Sequence, residues 1–173
     1  MKKKPATLPR GYRTCTASLA VTNVPAALTF YVNAFGAEVR VRDSDEDPRF
    51  ASIKIGNSMM FVTAGWSASG HVSATFGAGA PVAHHMYVED IDTVIDLALA
   101  AGAQLISAAE DTYWGERCAT IADPFGHLWT IATRLENLTA NEIEERRHIH
   151  LGLAPEDVNV IPGDDTELAE EAV

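Results

Sequence analysis

His85 and Tyr87 stand two residues apart in the run Ala83-His84-His85-Met86-Tyr87. In an extended strand that spacing puts an imidazole and a phenol on one face. Such a pair can trade protons with a bound molecule without a metal; the competing reading of His85 is a hydrogen-bonded structural histidine. A second group is Tyr113-Trp114-Gly115-Glu116-Arg117-Cys118. Its rings and guanidinium would make an aromatic wall with a cation, suited to an anionic or planar ligand, or else a loop or dimer contact. Cys118 as a nucleophile lacks an identifiable base. His84, of opposite parity to His85, reads as structural. His148 and His150, on different faces of a charged helix, read as solvated.

The elements that position these residues are written twice. Val21-Thr22-Asn23-Val24 followed by Gly36-Ala37-Glu38-Val39 returns as Val88-Glu89-Asp90-Ile91 followed by Gly102-Ala103-Gln104-Leu105. In the first copy a β-rich run at 14–21 leads to a helix capped by Asn23, with Pro25 in its first turn and Gly36 at its end. Strands follow at about 37–42, 50–55 and 58–63, the last two joined by a tight hairpin at Gly56-Asn57. In the second copy a strand at 82–88 leads to a helix capped by Asp90 or Asp92, and then to strands at about 103–108, 117–122 and 127–133. Asp123-Pro124-Phe125-Gly126 has the composition of a tight turn between the last two. Each half is therefore βαβββ. Thr139 to Glu142 is a capping box that opens a helix to about His150, with Glu142 and Arg146 spaced to pair.

The domain plan follows. Residues 1–11 read as a flexible tail, 12–153 as one domain of two modules (about 12–63 and 82–133) plus the helix at about 139–150, and 154–173 as an acidic, disordered tail. The connection at 64–80, small apart from Trp66, His71 and Phe76, reads as a linker able to fold over a pocket or a partner. Of the net charge of −11, seven carboxylates fall in 154–173, leaving −4 for residues 1–153. No basic face is available to neutralise phosphates, which argues against nucleic acid. No apolar run is long enough to span a membrane, and the basic start has no signal-type apolar segment. Cys15 and Cys118, both in apolar strand-like stretches, read as buried, reduced thiols of a cytoplasmic protein.

With the duplicated βαβββ unit come Phe30-Tyr31 ahead of Phe35-Gly36-Ala37, the stretch Trp114-Gly115-Glu116-Arg117, and Asp123-Pro124-Phe125-Gly126-His127-Leu128-Trp129. On these residues the chain resembles the vicinal oxygen chelate superfamily in its glyoxalase/bleomycin-resistance branch, and within it the PhnB-like proteins. The resemblance implies an α+β fold in which the two βαβββ modules form a half-open mixed β-barrel, and a homodimer. In metal-dependent relatives, His, Gln or Glu side chains from the first and last strands of each module hold a divalent ion. The resemblance puts those positions at Thr16, near Met60, at Ala83 and at Thr130. None is a strong ligand, and Arg13 to Asn23 and Ala51 to Gly70 contain no Asp, Glu or His. His85 and His127 alone would be a weak site. The expectation is therefore no metal and no other cofactor.

What remains is a cavity. Parity gives it a mixed polar wall of Thr14, Thr16, Ser18, His85, Tyr87, Cys118, Thr120, Leu128 and Thr130, with Met60, Trp114 and Arg117 beside it. Leu19, Val21, Val88, Ile121, Trp129 and Ile131, of opposite parity, should pack under the helices. Two functions fit this reading. One is a metal-free small-molecule binder, a homodimer that sequesters a drug in the manner of the resistance proteins. The alternative is an enzyme of the superfamily, lyase-, isomerase- or dioxygenase-like, with a changed metal or with acid–base chemistry at His85 and Tyr87. A dimeric interaction protein with a filled cavity is a third.

Overall fold

The computed structural model describes residues 6–64 and 82–153. The expectations for residues 1–5, for the linker with Trp66, His71 and Phe76, and for the acidic segment 154–173 lie outside the described residues. The order of elements is β1 (Ser18–Ala20), α1 (Val24–Phe35), β2 (Glu38–Arg42), β3 (Phe50–Ile55) and β4 (Ser58–Thr63), then β5 (Ala83–Tyr87), α2 (Ile91–Ala100), β6 (Gln104–Asp111), β7 (Glu116–Ala122) and β8 (Leu128–Arg134), with α3 (Ala140–Leu151) last. The strands form two four-stranded mixed sheets with orders β1-β4-β3-β2 and β5-β8-β7-β6. The fold is thus α+β with a repeated βαβββ plan, and its two sheets do not close into one barrel. No helix among the described residues is long and apolar enough to cross a membrane.

Local chemistry accounts for both helices. Asn23 accepts a hydrogen bond from the Ala26 N–H at 2.9 Å, Pro25 fits the first turn, and Gly36 takes φ 62° to close α1. Asp90 caps α2 by accepting from the N–H groups of Asp92 and Thr93. The apolar stripe Val24, Ala27, Leu28, Tyr31, Ala34 is buried on α1, and Ile91, Ile95, Ala98 on α2. Facing them are Leu19, Ile53, Met60 and Val62 of the first sheet and Ala119, Ile121, Trp129 and Ile131 of the second, in one continuous core. β1 is shorter than the 14–21 run suggests. Thr14 and Thr16 precede it, and the Thr16 hydroxyl donates to the Arg13 carbonyl at 3.3 Å instead of joining a ladder. Cys15, expected buried, is exposed in the same segment.

One buried carboxylate ties the modules together. Asp123, 4% exposed, accepts at Oδ1 from the backbone N–H groups of Phe125 and His127, both at 2.9 Å, which fixes its own turn. At Oδ2 it accepts from the Trp129 indole at 3.1 Å and from the Tyr31 hydroxyl of α1 at 2.7 Å. His127 Nε2 lies 3.1 Å from the Ala20 carbonyl of β1, a second link between modules. The rings of Tyr31 and Phe35 pack on Trp129 with centroids 5.8 and 4.8 Å away.

α3 corrects two expectations. Arg146 pairs with Glu136, at 2.9 and 2.7 Å, while Glu142 is engaged in the Thr139 capping box. His148 is buried rather than solvated, with Nε2 3.0 Å from Glu144. His150 sits against Tyr113.

Because bonds to a charged group contribute about 1.5–3 kcal/mol each, Tyr31→Phe should lower unfolding stability by about that amount. Asp123→Ala, which strands two buried donors and releases the turn, should cost about 3–5 kcal/mol. Urea unfolding of the two variants checks this, and a Tyr31→Phe midpoint equal to wild type would contradict it.

Candidate functional site

Each sheet has one face under the helices and one open face, and the two open faces differ. In the first sheet Phe61, paired with Ser18 and Ser52, stacks with Tyr12 at 5.5 Å and lies 5.4 Å from Phe50. The segment before β1 therefore covers that face. Ser52 beneath it is 1% exposed, and its hydroxyl has no hydrogen-bond partner among the described residues.

The second sheet presents a polar open face. β8 lies between β5 and β7, with His85 opposite Thr130 and Tyr87 opposite Ala132, and with Thr120 and Cys118 on the far side. Thr130 and Ala132 are short, so long side chains from β5 and β7 can meet above them. They meet at Glu116, whose side chain is 12% exposed. Its Oε2 accepts from the Trp114 indole N–H at 2.8 Å and lies 3.7 Å from Cys118 Sγ and 4.0 Å from His85 Nε2. The His85 and Tyr87 rings are 4.8 Å apart. The Tyr87 hydroxyl is held above its ordinary pKa, first by partial burial and then by its hydrogen bond and proximity to Glu116. The Cys118 thiol is pushed up to about 11 by burial and then by Glu116. At neutral pH it is a thiol, not a thiolate nucleophile.

The turn before β7 aims Trp114 and Glu116. Thr112 N–H donates to the Glu116 carbonyl at 2.7 Å, and Gly115 N–H to the Thr112 carbonyl at 3.2 Å. Gly115 adopts φ 84°, and a Cβ there would come within 3.0 Å of Leu138 Cδ1. Only glycine fits both demands without strain.

Of the expected wall, Ser18, His85, Tyr87, Cys118, Thr120, Leu128 and Thr130 do lie on open faces, Ser18 in the first sheet and the rest in the second. Arg117 does not supply a cation to this wall. It pairs with Thr133 on the helix side of β7 and holds Asp111 at 3.1 Å and Asp92 at 3.4 Å. Met60 faces the core, 7% exposed and paired with Ile53. By register the counterpart of Thr130 is Phe61, not Met60, because Phe61 opposes Ser18 as Thr130 opposes His85. Thr16 stays in the incoming segment. Sequence reasoning passed over Glu116, although it shares parity with Cys118 and Thr120.

Around the edge of β5 lies a cavity of about 650 Å³. Phe35, Met60, His84, Met86 and Trp129 line it, and His85 and Tyr87 border it. β5 thus presents one side to the Glu116 wall and the other to the cavity. His84 packs tilted against Trp129 at 4.6 Å and edge-on to His127 at 6.2 Å.

The family model for the glyoxalase/bleomycin resistance protein/dioxygenase superfamily matches residues 14–131. An uncharacterized protein of Mycobacterium bovis is 32% identical over 131 residues, spanning 73% of this chain and 86% of the relative. Among solved structures, TioX from a Micromonospora species superposes with a TM-score of 0.55 at 26% identity, over 69% of this chain and 97% of that one. A gene product of Arabidopsis thaliana superposes at 0.58 and 24% identity, over 70% and 98%; at that identity the likeness concerns the fold.

The metal that metal-dependent relatives carry finds a poor donor set. Thr16, Ala83, Thr130 and Phe61, which takes the place expected of Met60, offer no carboxylate or imidazole. Among the described residues no three His, Cys, Asp or Glu side chains are placed to hold a metal ion. The residues present do not fit such an ion.

His84 makes stability depend on pH. Burial, then the nearby His127, lowers its pKa below 6.5 against a smaller opposing effect of Asp123. The unfolded chain takes up this proton near pH 6.5 and the folded chain only further down. The contribution is therefore complete above about 6.5 and is lost as pH falls toward the lowered value. Urea unfolding from about pH 7.5 to 5 should show a fall that His84→Gln flattens; an unchanged slope in the variant would refute the assignment.

Proposed function

The chain belongs to the glyoxalase/bleomycin resistance protein/dioxygenase superfamily, a fold that serves several activities, and we propose that its own role is to bind an organic small molecule without a metal and without turnover. The observation that carries this reading is the combination at β5. A cavity of ligand size adjoins a hydrogen-bonding, aromatic wall, while the positions for a metal hold Thr, Phe and Ala.

The enzyme alternative draws on His85 and Tyr87 and is the weaker of the two. His85 Nε2 stands 4.0 Å from Glu116, outside the range in which a carboxylate orients a general base. Tyr87 is a poorer acid than a free tyrosine because burial and Glu116 both hold its proton. Cys118 is held as the thiol.

The working form is a homodimer. Val41, Tyr87, Leu105, Ile106 and Trp114 are all more than a third exposed, and a second copy laid across the open faces would cover such side chains and deepen the cup. The stretches Trp114 to Arg117 and Asp123 to Trp129 favour a PhnB-like protein of the drug-sequestering kind. Cys15 and Cys118 as free thiols favour a cytoplasmic location.

Native mass spectrometry of the full chain, purified without chelator, should give twice the 18.6 kDa chain mass and no stoichiometric divalent metal. A retained organic ligand would then name the ligand class. His85→Ala should weaken ligand binding by about tenfold, the value of one hydrogen bond. A stoichiometric metal required for an activity, or turnover abolished by His85→Ala, would replace the binding reading with the enzymatic one.

A further inference from the structure

Glu116 is an enclosed carboxylate of the second open face, and no Lys or Arg among the described residues forms an ion pair with it. Its side chain is 12% exposed. Among the described residues no Lys or Arg comes within 4.0 Å of it, and its one ion-pair contact is His85 at that limit. Arg117 follows it in sequence but points to the helix side, held by Asp111 and Asp92. Arg134 is its cross-strand partner and acts on the Tyr87 hydroxyl from the same face, yet makes no ion pair with Glu116. A carboxylate so far out of water is favourable only when donors or a counter-charge answer it. The Trp114 indole answers one oxygen at 2.8 Å, the Cys118 thiol lies 3.7 Å from the same atom, and the Tyr87 hydroxyl donates to the carboxylate as well.

Around the carboxylate the walls are aromatic. Trp114 stands edge-to-face with Tyr113 at 4.8 Å. Tyr87, 61% exposed, packs with its ring tilted against His85 at 4.8 Å on β5. The electron-rich faces of Trp and Tyr attract cations, and quaternary or alkyl ammonium groups fit sites that join such rings to a carboxylate. Thr130, Ala132 and Thr120 are the short side chains of the floor beneath these groups. The net charge of −4 on residues 1–153 favours cations over anions at long range.

We infer that the open face of the second sheet is a recognition site for an organic cation, an ammonium carried on an aromatic or alkyl body, with Glu116 as its counter-charge and Trp114 and Tyr87 as its ring walls. This rests on the binding reading above and gives it a sign. It also reverses the anionic ligand that Arg117 suggests in the sequence, because the guanidinium faces the other way. The aromatic or alkyl body of the ligand lies along β5 toward the cavity that His84, Met86 and Trp129 line.

Three probes of nearly one shape test it on the full chain by titration calorimetry: benzyltrimethylammonium, its uncharged isostere neopentylbenzene, and the anion phenylacetate. The unmodified protein should bind the cation at least about tenfold more tightly than the isostere, and phenylacetate least. Glu116→Gln should erase that preference while leaving the isostere's affinity unchanged, and Trp114→Leu should weaken the cation more than the isostere. Equal binding of cation and isostere, or an unaltered preference in Glu116→Gln, would overturn the cation site and leave the binding reading standing. If none of the three binds at millimolar concentration, the cation site is likewise refuted, and the binding reading is then judged by the mass measurement alone.

Discussion

The fold depends on Asp123. A buried carboxylate without donors would destabilise the chain by several kcal/mol, and four donors from two modules surround this one. Two of them shape the turn between β7 and β8. The other two, the indole of Trp129 and the hydroxyl of Tyr31, clamp α1 of the first module onto the second. The same constraint accounts for the neighbouring aromatic cluster, since Tyr31, Phe35, Phe125 and Trp129 have to pack closely to keep water from that carboxylate. The turn composition Asp-Pro-Phe-Gly is therefore a bridge between modules as well as a turn.

Once that clamp is set, the two open faces are free to diverge. In the first, Tyr12, Phe61 and Phe50 put rings where a ligand would lie. In the second, short residues on β8 make a floor across which His85, Tyr87 and Glu116 approach one another. Duplication gave both modules one strand order, and side-chain size decided which kept room. The proposed chemistry therefore belongs to one module, with Trp114 and Trp129 as its two markers. The Trp114 indole N–H answers the carboxylate of the site, and that of Trp129 answers the carboxylate of the clamp.

Much of this was legible in the residues. Caps at Asn23, Asp90 and Thr139, the Gly56-Asn57 hairpin and the glycine stops placed the elements, because these are local effects of hydrogen bonding and allowed φ. Strand parity placed Trp129 in the core and His85 with Tyr87 on the open face. Where the reading went astray, the cause was non-local. The length of β1 is set by pairing with β4 alone, which reaches back only to the Ala17 carbonyl, so the β-prone residues 14–16 have no partner strand. The match of Phe61 with Thr130 needed the register of two parallel ladders. Arg117 is an exception, since its parity, opposite to that of Cys118, already put it on the helix side, where Asp111 and Asp92 hold it. Glu116 was visible by parity, but a carboxylate at a strand start reads as solvent-facing until its neighbours are known.

The central claim is that ligand meets this protein at Glu116 and not at the Asp123 clamp. The two indole N–H groups give that claim an internal control in a single ¹H–¹⁵N spectrum of the full chain, with Trp66→Phe removing the third tryptophan signal. On titration with benzyltrimethylammonium the Trp114 indole peak should move progressively while that of Trp129 stays in place. Movement of the Trp129 peak with a stationary Trp114 peak would contradict the account.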